Sequence, residues 1–597
     1  MGDHEAPRRG IPHTVWWGAA AVVLVHLALS AGMRTPIVQV DEGAYLGAAH
    51  YFAFGTGLLN TAATYSPGYS LLLTPVSRLL GDPLATYHGA LVVNAFLHGT
   101  VVVTSFLLAR RIVGPADERR AVVAAVLVAL YPTFLLAGSY AMATNLMVAG
   151  TPAVLLCTAV AYERMCLRWW AVAGGAAVAL AGVHPVGAVM VVVVLLAPLL
   201  GVRRATWRPT ASRFAATVAG AATVGIVVDA AVDATRRSTT VARYVGARGS
   251  ASGGAQSRVG YTAGQIGEAL GLGNPRGLVV AAAGQTFYLV VATFGLVLVG
   301  LVVAARAAPR AVRDPGPAVG PRLSFFAGLV LVGAVAASVF VINPPANATA
   351  VSLLYGRYND QVVGPVLLLG LLGLPAVVRT RRRFAWAVGG VAAVVVVSAA
   401  VVLVAWPGAR DLELFDLQDV LGVFAVANGL GRLDRFRLGT VVPVLGVVGI
   451  AGFVALALAQ RLGGRRALAV VAGLAFVVPS VAAGVVIVRS SVNRAAEDVL
   501  VGAIARRTEP GTAARDCVGY LPAVEGSWWL ATYQYRLPDV RFRPVVVDAD
   551  GAQAPAGCRR LVLGDDRDPA VAALGLEPIA SELVYEPFPI TLYRMPR

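Results

Sequence analysis

WWAVAGGAAVALAGVHPVGAVMVVVVLLAPLL, residues 169–200, carries no charged side chain anywhere along its length. As one straight helix it would be about 48 Å long, far more than the roughly 30 Å of a bilayer's hydrocarbon core. His184-Pro185 falls in its middle. Proline has no N–H to give and clashes with the preceding turn, so the run reads as two short helices, 169–183 and 185–200, meeting at a turn. This reading fixes the parity of everything downstream. A single helix would reverse the side of the membrane on which every later loop lies.

Charge supports the hairpin. The chain has 597 residues, of which 57% are hydrophobic and 14% charged; soluble domains average about 25% charged. Apolar runs near 20 residues recur from end to end. They predict spans at 14–33, 87–109, 120–138, 141–162, 169–183, 185–200, 213–235, 277–304, 324–343, 361–378, 384–406, 439–459 and 467–488. With the N-terminus inside, the inner loops hold Arg110, Arg111, Arg119 and Arg120; Arg164 and Arg168; Arg203, Arg204 and Arg208; Arg306, Arg310, Arg313 and Arg322; Arg379, Arg381, Arg382 and Arg383; and Arg461, Arg465 and Arg466. Each inner loop is arginine-rich, as the positive-inside rule requires. The formal net charge of +17 comes entirely from arginine without any lysine. No compact basic domain interleaved with aromatics carries it, so no nucleic-acid partner is expected.

The expected fold class is therefore a polytopic α-helical membrane protein of about 13 spans, N-terminus in and C-terminus out. Ala28-Leu29-Ser30 resembles a leader-cleavage site, but an uncleaved first span is the preferred reading, because it keeps Asp41 tethered near the bilayer. Residues 1–489 form the transmembrane domain. Residues 490–597 alternate apolar and polar positions and predict a small extracytoplasmic α/β domain, with strands at 540–547, 560–563 and 583–593 and short helices at 494–506 and 569–575. Cys517 and Cys558 lie in it, and outside the cytoplasm a disulfide between them is expected; two unpaired thiols are the alternative. Cys157 and Cys166 lie in or beside a span without metal-ligand spacing.

Five polar features fall on the outer face by the same alternation: loop 34–86, the Ser139–Thr144 turn, the His184 turn, loop 236–276 and loop 344–360. Loop 407–438 joins them. The first carries Asp41-Glu42, two adjacent acids just beyond the first span. A carboxylate at an apolar–aqueous boundary suits a general base; equally, aspartate suits the N-cap of a helix starting near Gly43. Tyr45 follows, and Tyr65-Ser66-Pro67-Gly68-Tyr69 forms a turn whose tyrosines can position a substrate. Tyr355-Gly356-Arg357-Tyr358-Asn359-Asp360 opens a later span. Arg357 there suits a lipid-linked phosphate through its planar fork of donors, with Tyr358 adding a hydroxyl. Against this stand a snorkelling anchor and neutralisation by Asp360. His184 and Arg243, the latter among the arginines of loop 236–276, are further candidates for an anionic ligand; a packed histidine and a solvated loop are the alternatives. No metal-ligand motif and no nucleotide-type phosphate loop is present, so no cofactor is predicted, a divalent ion being left open.

This arrangement resembles the GT-C superfamily of polyprenyl-phosphate-sugar-dependent glycosyltransferases, in the branch of protein O-mannosyltransferases and the lipid A aminoarabinose transferase, actinobacterial type. Asp41-Glu42 after the first span, Ser66-Pro67-Gly68-Tyr69 before the second and the outer C-terminal domain carry the resemblance. It implies an inverting glycosyl transfer at the outer face of the plasma membrane. The sugar would pass from a polyprenyl-phosphate donor to a glycan, lipid or protein acceptor, with Asp41 as base and Glu42 as helper or structural acid. Relatives often carry an acid where this chain has Thr144-Asn145. The rival reading is a lipid or glycolipid transporter or flippase, which would place charge near the bilayer midplane; most predicted spans have none.

Overall fold

The computed structural model describes residues 10–37, 39–55, 65–114, 117–200, 207–236, 275–313, 319–341, 353–405, 419–429, 438–497, 499–507, 517–521, 533–537, 540–548, 551–553, 561–565, 571, 575–583 and 589–594. The helices are α1 (His13–Ser30), α2 (Gln39–Phe54), α3 (Gly68–Leu80), α4 (Pro83–Val113), α5 (Glu118–Ala129), α6 (Pro132–Ala137), α7 (Ala143–Arg164), α8 (Leu167–Ala181), α9 (Gly187–Leu196) and α10 (Trp207–Arg236). They continue with α11 (Pro275–Ala292), α12 (Leu296–Arg313), α13 (Val319–Val341), α14 (Arg357–Asp360), α15 (Gly364–Val377), α16 (Arg381–Ala405), α17 (Leu421–Gly429), α18 (Leu438–Glu497) and α19 (Val499–Ala505). Among the described residues, 7 helices are long and apolar enough to cross a membrane, or up to 8 if the bent pair α11–α12 is one span. The chain is a multi-pass helical membrane protein with a small C-terminal sheet.

The run 169–200 is two helices, as its length and proline predict. Between α8 and α9, His184 N donates to Leu180 O (3.2 Å) and Gly187 N to His184 O (2.8 Å), closing a tight turn around Pro185. Two other expected spans differ. The span expected at 277–304 is the pair α11–α12, bent by 105°. Phe294 and Gly295 adopt φ of 47° and 72°, left-handed values that reverse a helix. Thr293 Oγ1 caps the break, donating to Leu289 O at 2.6 Å and accepting from Val297 N at 3.3 Å. No proline marks the site, so hydropathy reads straight through it. Similarly, the span expected at 120–138 is α5 and α6, separated at Leu130-Tyr131, where Pro132 starts the new helix. The spans expected at 439–459 and 467–488 both lie within α18, which is two helices joined at a kink at Gly464 (φ 62°, ψ −147°), a conformation only glycine takes easily.

Two ends of the bundle can be told apart by chemistry. At one, the arginine-rich loops meet. Arg111 pairs with Glu163 through Nε (2.7 Å) and Nη2 (3.0 Å), Arg465 reaches Asp117 (3.6 Å), and Arg461 lies over the Phe384 ring (5.7 Å). The other end is set off from it by α4, whose 31 residues span about 46 Å. There Asp82 caps α4, its side chain accepting from Ala85 N at 2.7 Å, and the described parts of loop 34–86, the Ser139–Thr144 turn, the His184 turn and the Tyr355–Asp360 stretch converge; loop 237–274 lies outside the described residues.

The C-terminal sheet has five strands in the order β2-β1-β5-β7-β6, with β3-β4 as a separate hairpin. The ranges are β1 Cys517–Tyr520, β2 Arg541–Pro544, β3 Val546–Asp548, β4 Gly551–Gln553, β5 Leu561–Asp565, β6 Glu577–Leu583 and β7 Pro589–Arg594. β1 pairs in parallel with β2 and β5; β7 pairs antiparallel with β5 and β6. Period-two alternation sorts the side chains. Leu561, Leu563, Ile590 and Leu592 pack under Leu500 and Ile504 of α19; Val562 and Tyr593 face Val545 and Leu576 on the other side. The sequence missed β1, β4 and β6. The expected helix 569–575 falls largely outside the described residues. Cys517 is disulfide-bonded, Cys157 and Cys166 are free, and the expected partner Cys558 lies outside the described residues.

Candidate active site

Asp41 and Glu42 sit in the first turn of α2, where the helix macrodipole favours negative charge. The helix already begins at Gln39, so Asp41 is not its N-cap, against the capping alternative. The two acids divide. Glu42 has no exposed surface and Asp41 keeps 7%. Glu42 Oε2 accepts from Ile37 N (2.8 Å) and Oε1 from Ala141 N (2.7 Å). It thereby ties the approach to α2 onto the turn between α6 and α7. Both its oxygens hold backbone.

Asp41 faces the centre of the cluster. Its Oδ1 accepts from the Tyr65 hydroxyl, and its Oδ2 lies 2.5 Å from Arg357 Nη1. The same nitrogen is 3.4 Å from Asp419 Oδ1. Arg357 Nε is buried without a hydrogen-bond partner among the described residues. Burial opposes the guanidinium's charge, but Asp41, Tyr355 and Asp419 outweigh it and hold the pKa well above the ordinary value. For Tyr65, burial first and then the neighbouring Asp41 push the phenol pKa far up, so it acts as a donor.

The polypeptide around Arg357 is built to place it. Gly356 N donates to Asp419 O (2.8 Å), and a Cβ on Gly356 would come within 1.9 Å of the Tyr288 ring, so no side chain fits. Asp360 does not neutralise Arg357, contrary to one reading of the sequence. Its carboxylate accepts from Tyr131 (2.9 Å) and from Tyr288, and Tyr288 Oη in turn accepts from Gly422 N (2.9 Å). Burial pushes the Asp360 pKa up to about 7, against the pull of these hydroxyls.

The turn at 65–69 is pinned to the His184 turn: Gly68 N donates to Gly182 O at 2.9 Å. Tyr45 packs edge-on to both Tyr65 (5.2 Å) and Tyr69 (5.6 Å), and Tyr69 donates to Asn94 Oδ1 (2.7 Å). His184 meets Tyr358 edge-on at 5.0 Å, and Tyr358 meets Tyr355 at 4.9 Å. Thus Asp41, Glu42, Tyr45, Tyr65, Tyr69, His184, Arg357 and Tyr358 form one connected neighbourhood. Arg243 lies outside the described residues. Asn145, where an acid was looked for, is structural: Nδ2 donates to Tyr140 O (2.9 Å) and Met142 O (3.2 Å), and Oδ1 faces His98 Nε2 (2.9 Å).

Beside Arg357 and Asp360 lies a narrow recess, also lined by Thr133, Tyr140, Met142 and Thr144, with room for about one water molecule. Among the described residues no three His, Cys, Asp or Glu side chains converge as metal ligands. Sequence reasoning missed Asp419, Tyr131 and Tyr288. Asp419 is one of several acids in loop 407–438, and nothing in the sequence separates it from Asp411 or Asp416. The two tyrosines read as ordinary membrane aromatics.

The fold is shared with ArnT from Cupriavidus metallidurans. Its crystal structure bound to undecaprenyl phosphate aligns with a TM-score of 0.54 at 14% identity, covering 98% of each chain. The apo crystal structure of the same protein aligns at 0.53 with 15% identity, covering 97% of each chain. No family model matches the chain, and no curated protein does. The many-span layout with a C-terminal domain, expected from the GT-C resemblance, is the fold the chain has.

Proposed function

We propose that this protein is a membrane glycosyltransferase that moves a sugar from a polyprenyl-phosphate donor to an acceptor hydroxyl at the outer face of the plasma membrane, with inversion. The observation that carries this reading is the buried Asp41–Arg357 pair, 2.5 Å apart, where the outer-end turns meet. A carboxylate and a guanidinium in contact are the two groups such a transfer needs, one for the attacking hydroxyl's proton and one for the leaving phosphate. The full-length likeness to ArnT, solved with undecaprenyl phosphate, supports a lipid-phosphate donor.

In the reaction, the acceptor oxygen attacks the anomeric carbon while Asp41 takes its proton. The bond from that carbon to the phosphate oxygen breaks, and polyprenyl phosphate leaves with the electron pair. Arg357 first competes with the acceptor for Asp41 Oδ2. A donor phosphate gives the guanidinium another anion to engage, through Nε and the nitrogen it shares with Asp419. Asp41 is then free to receive the hydroxyl. This predicts that donor binding precedes base activation. A preorganised cation at the developing charge is usually the largest catalytic contribution. Tyr65 holds Asp41 in register, and the phosphate arrives from the membrane side near His184 and Tyr358. Glu42 is assigned a structural role.

Transfer from a panel of radiolabelled polyprenyl-phosphate sugars, in membranes holding wild type or Asp41→Asn, tests the reading. Transfer by wild type and its loss in the variant at equal protein level supports it. Equal transfer by both removes Asp41 as base. No transfer by either, with labelled lipid still crossing the bilayer, would replace the reading with a flippase.

A further inference from the structure

The stretch leading into Asp41 is held from the far end of the chain. Ser491, near the end of α18, makes three hydrogen bonds to it. Its Oγ accepts from Arg34 N (2.8 Å) and Thr35 N (2.9 Å) and donates to Thr35 O (2.7 Å). The Thr35 side chain is then taken up by the C-terminal domain, Arg536 Nη1 donating to Thr35 Oγ1 at 3.1 Å. Thr35 and Ser491 are buried, at 2% and 0% exposure, which shields the bonds between them from water. From Thr35 the chain passes to Ile37, whose N–H is bound by Glu42, and so to Asp41.

Arg536 belongs to a helical turn, residues 533–536, that joins two cores. Residues i and i+2 of a helix point to nearly opposite sides, about 200° apart. Tyr533 accordingly packs in the C-terminal domain's core with Val518 and Leu563. Tyr535 packs in the core of the membrane body and donates its hydroxyl to Pro83 O, at the start of α4. The segment is a rivet, with Arg536 as its reach into the first loop.

Resting on the glycosyltransferase reading, we infer that Arg536 is a positioning residue: with Ser491 it clasps residues 34–42 and sets where Asp41 sits. The C-terminal domain then contributes to the chemical step, beyond any contact with acceptor. Displacement of a catalytic group by about 1 Å can cost on the order of 100-fold in rate.

Two readouts test this on the full-length protein in detergent. Hydrogen exchange of residues 34–42 is expected to quicken in Arg536→Ala and in Ser491→Ala, while α7 and α15 keep wild-type protection. In the transfer assay Arg536→Ala is expected to lower kcat by about 10- to 100-fold with the donor KM within about twofold, and Arg536→Lys to recover part of the loss. Unchanged exchange at 34–42 overturns the inference, as does faster exchange with unaltered kcat, or an effect on KM alone. Failure of the wild type to transfer any sugar would count against the glycosyltransferase reading only, because the exchange comparison still decides whether the clasp holds the loop.

Discussion

Two neighbouring acids of the same turn make opposite use of their oxygens, and this is visible only residue by residue. Asp41→Asn keeps size and is expected to cut transfer by about 100- to 10,000-fold, since it removes a base; it also breaks the buried pair with Arg357, so a lower Tm is expected with it, and transfer is compared at equal folded protein. Glu42→Gln puts an amide N–H2 against one of two backbone donors, Ile37 N or Ala141 N. It is expected to lose about 1–3 kcal/mol of stability, read as a lower Tm, because a buried donor is left unmet. Asp360 gives a pH signature. Its folded pKa of about 7 lies above the ordinary value of 3.8. The folded protein thus holds a proton that the unfolded chain releases near pH 4, and the associated stability is complete below pH 4 and lost as pH rises through 7. Wild-type Tm is expected to fall between pH 4 and pH 8, and the neutral Asp360→Asn to fall less over the same range. Parallel Tm profiles of the two proteins would show that Asp360 does not titrate there.

At the scale of elements, the site is a meeting of helix ends. The start of α2, the 65–68 turn, the His184 turn, the α6–α7 turn, α14 and the start of α17 each bring one or two polar groups and little else. Close approach is the condition for this, and glycine provides it where α14 meets α11. Gly356→Ala would drive a Cβ into the Tyr288 ring, which is held by Asp360 and Gly422 and cannot swing away. Overpacking of this kind costs about 1–3 kcal/mol. The variant is expected to lose both Tm and transfer, whereas Ala at Gly389, with open space around its Cβ position, is expected to change neither.

For the whole molecule, the arginine-rich end and the site end are separated by the length of α4, enough to cross a bilayer. The positive-inside rule then predicts which end faces the cytoplasm. Single cysteines placed at Arg382 and at Arg78, in a background with Cys157 and Cys166 replaced by serine, would test it with a membrane-impermeant maleimide. Arg78, exposed in α3, is expected to label on intact cells and position 382 only after permeabilisation. The reverse pattern would place the site in the cytoplasm and remove the outer-face transfer from consideration.

The sequence by itself determined the membrane class, the hairpin at 169–200, the two-ended distribution of arginine and the set of loops from which the site is drawn. These follow from local quantities: hydropathy over a span, a proline in a helix, charge in a short loop. Only the tertiary structure decided who pairs with whom. That Arg357 belongs to Asp41 and Asp419 while Asp360 belongs to Tyr131 and Tyr288 depends on which faces α11, α14 and α17 turn inward. So do the reversal at Phe294-Gly295 and the reach of Arg536 to Thr35. Such partners are remote in the chain and identical in type to many unpaired neighbours. Their selection is made by burial, since a charge or a hydroxyl removed from water must find the one complementary group that the packed helices bring within hydrogen-bond reach.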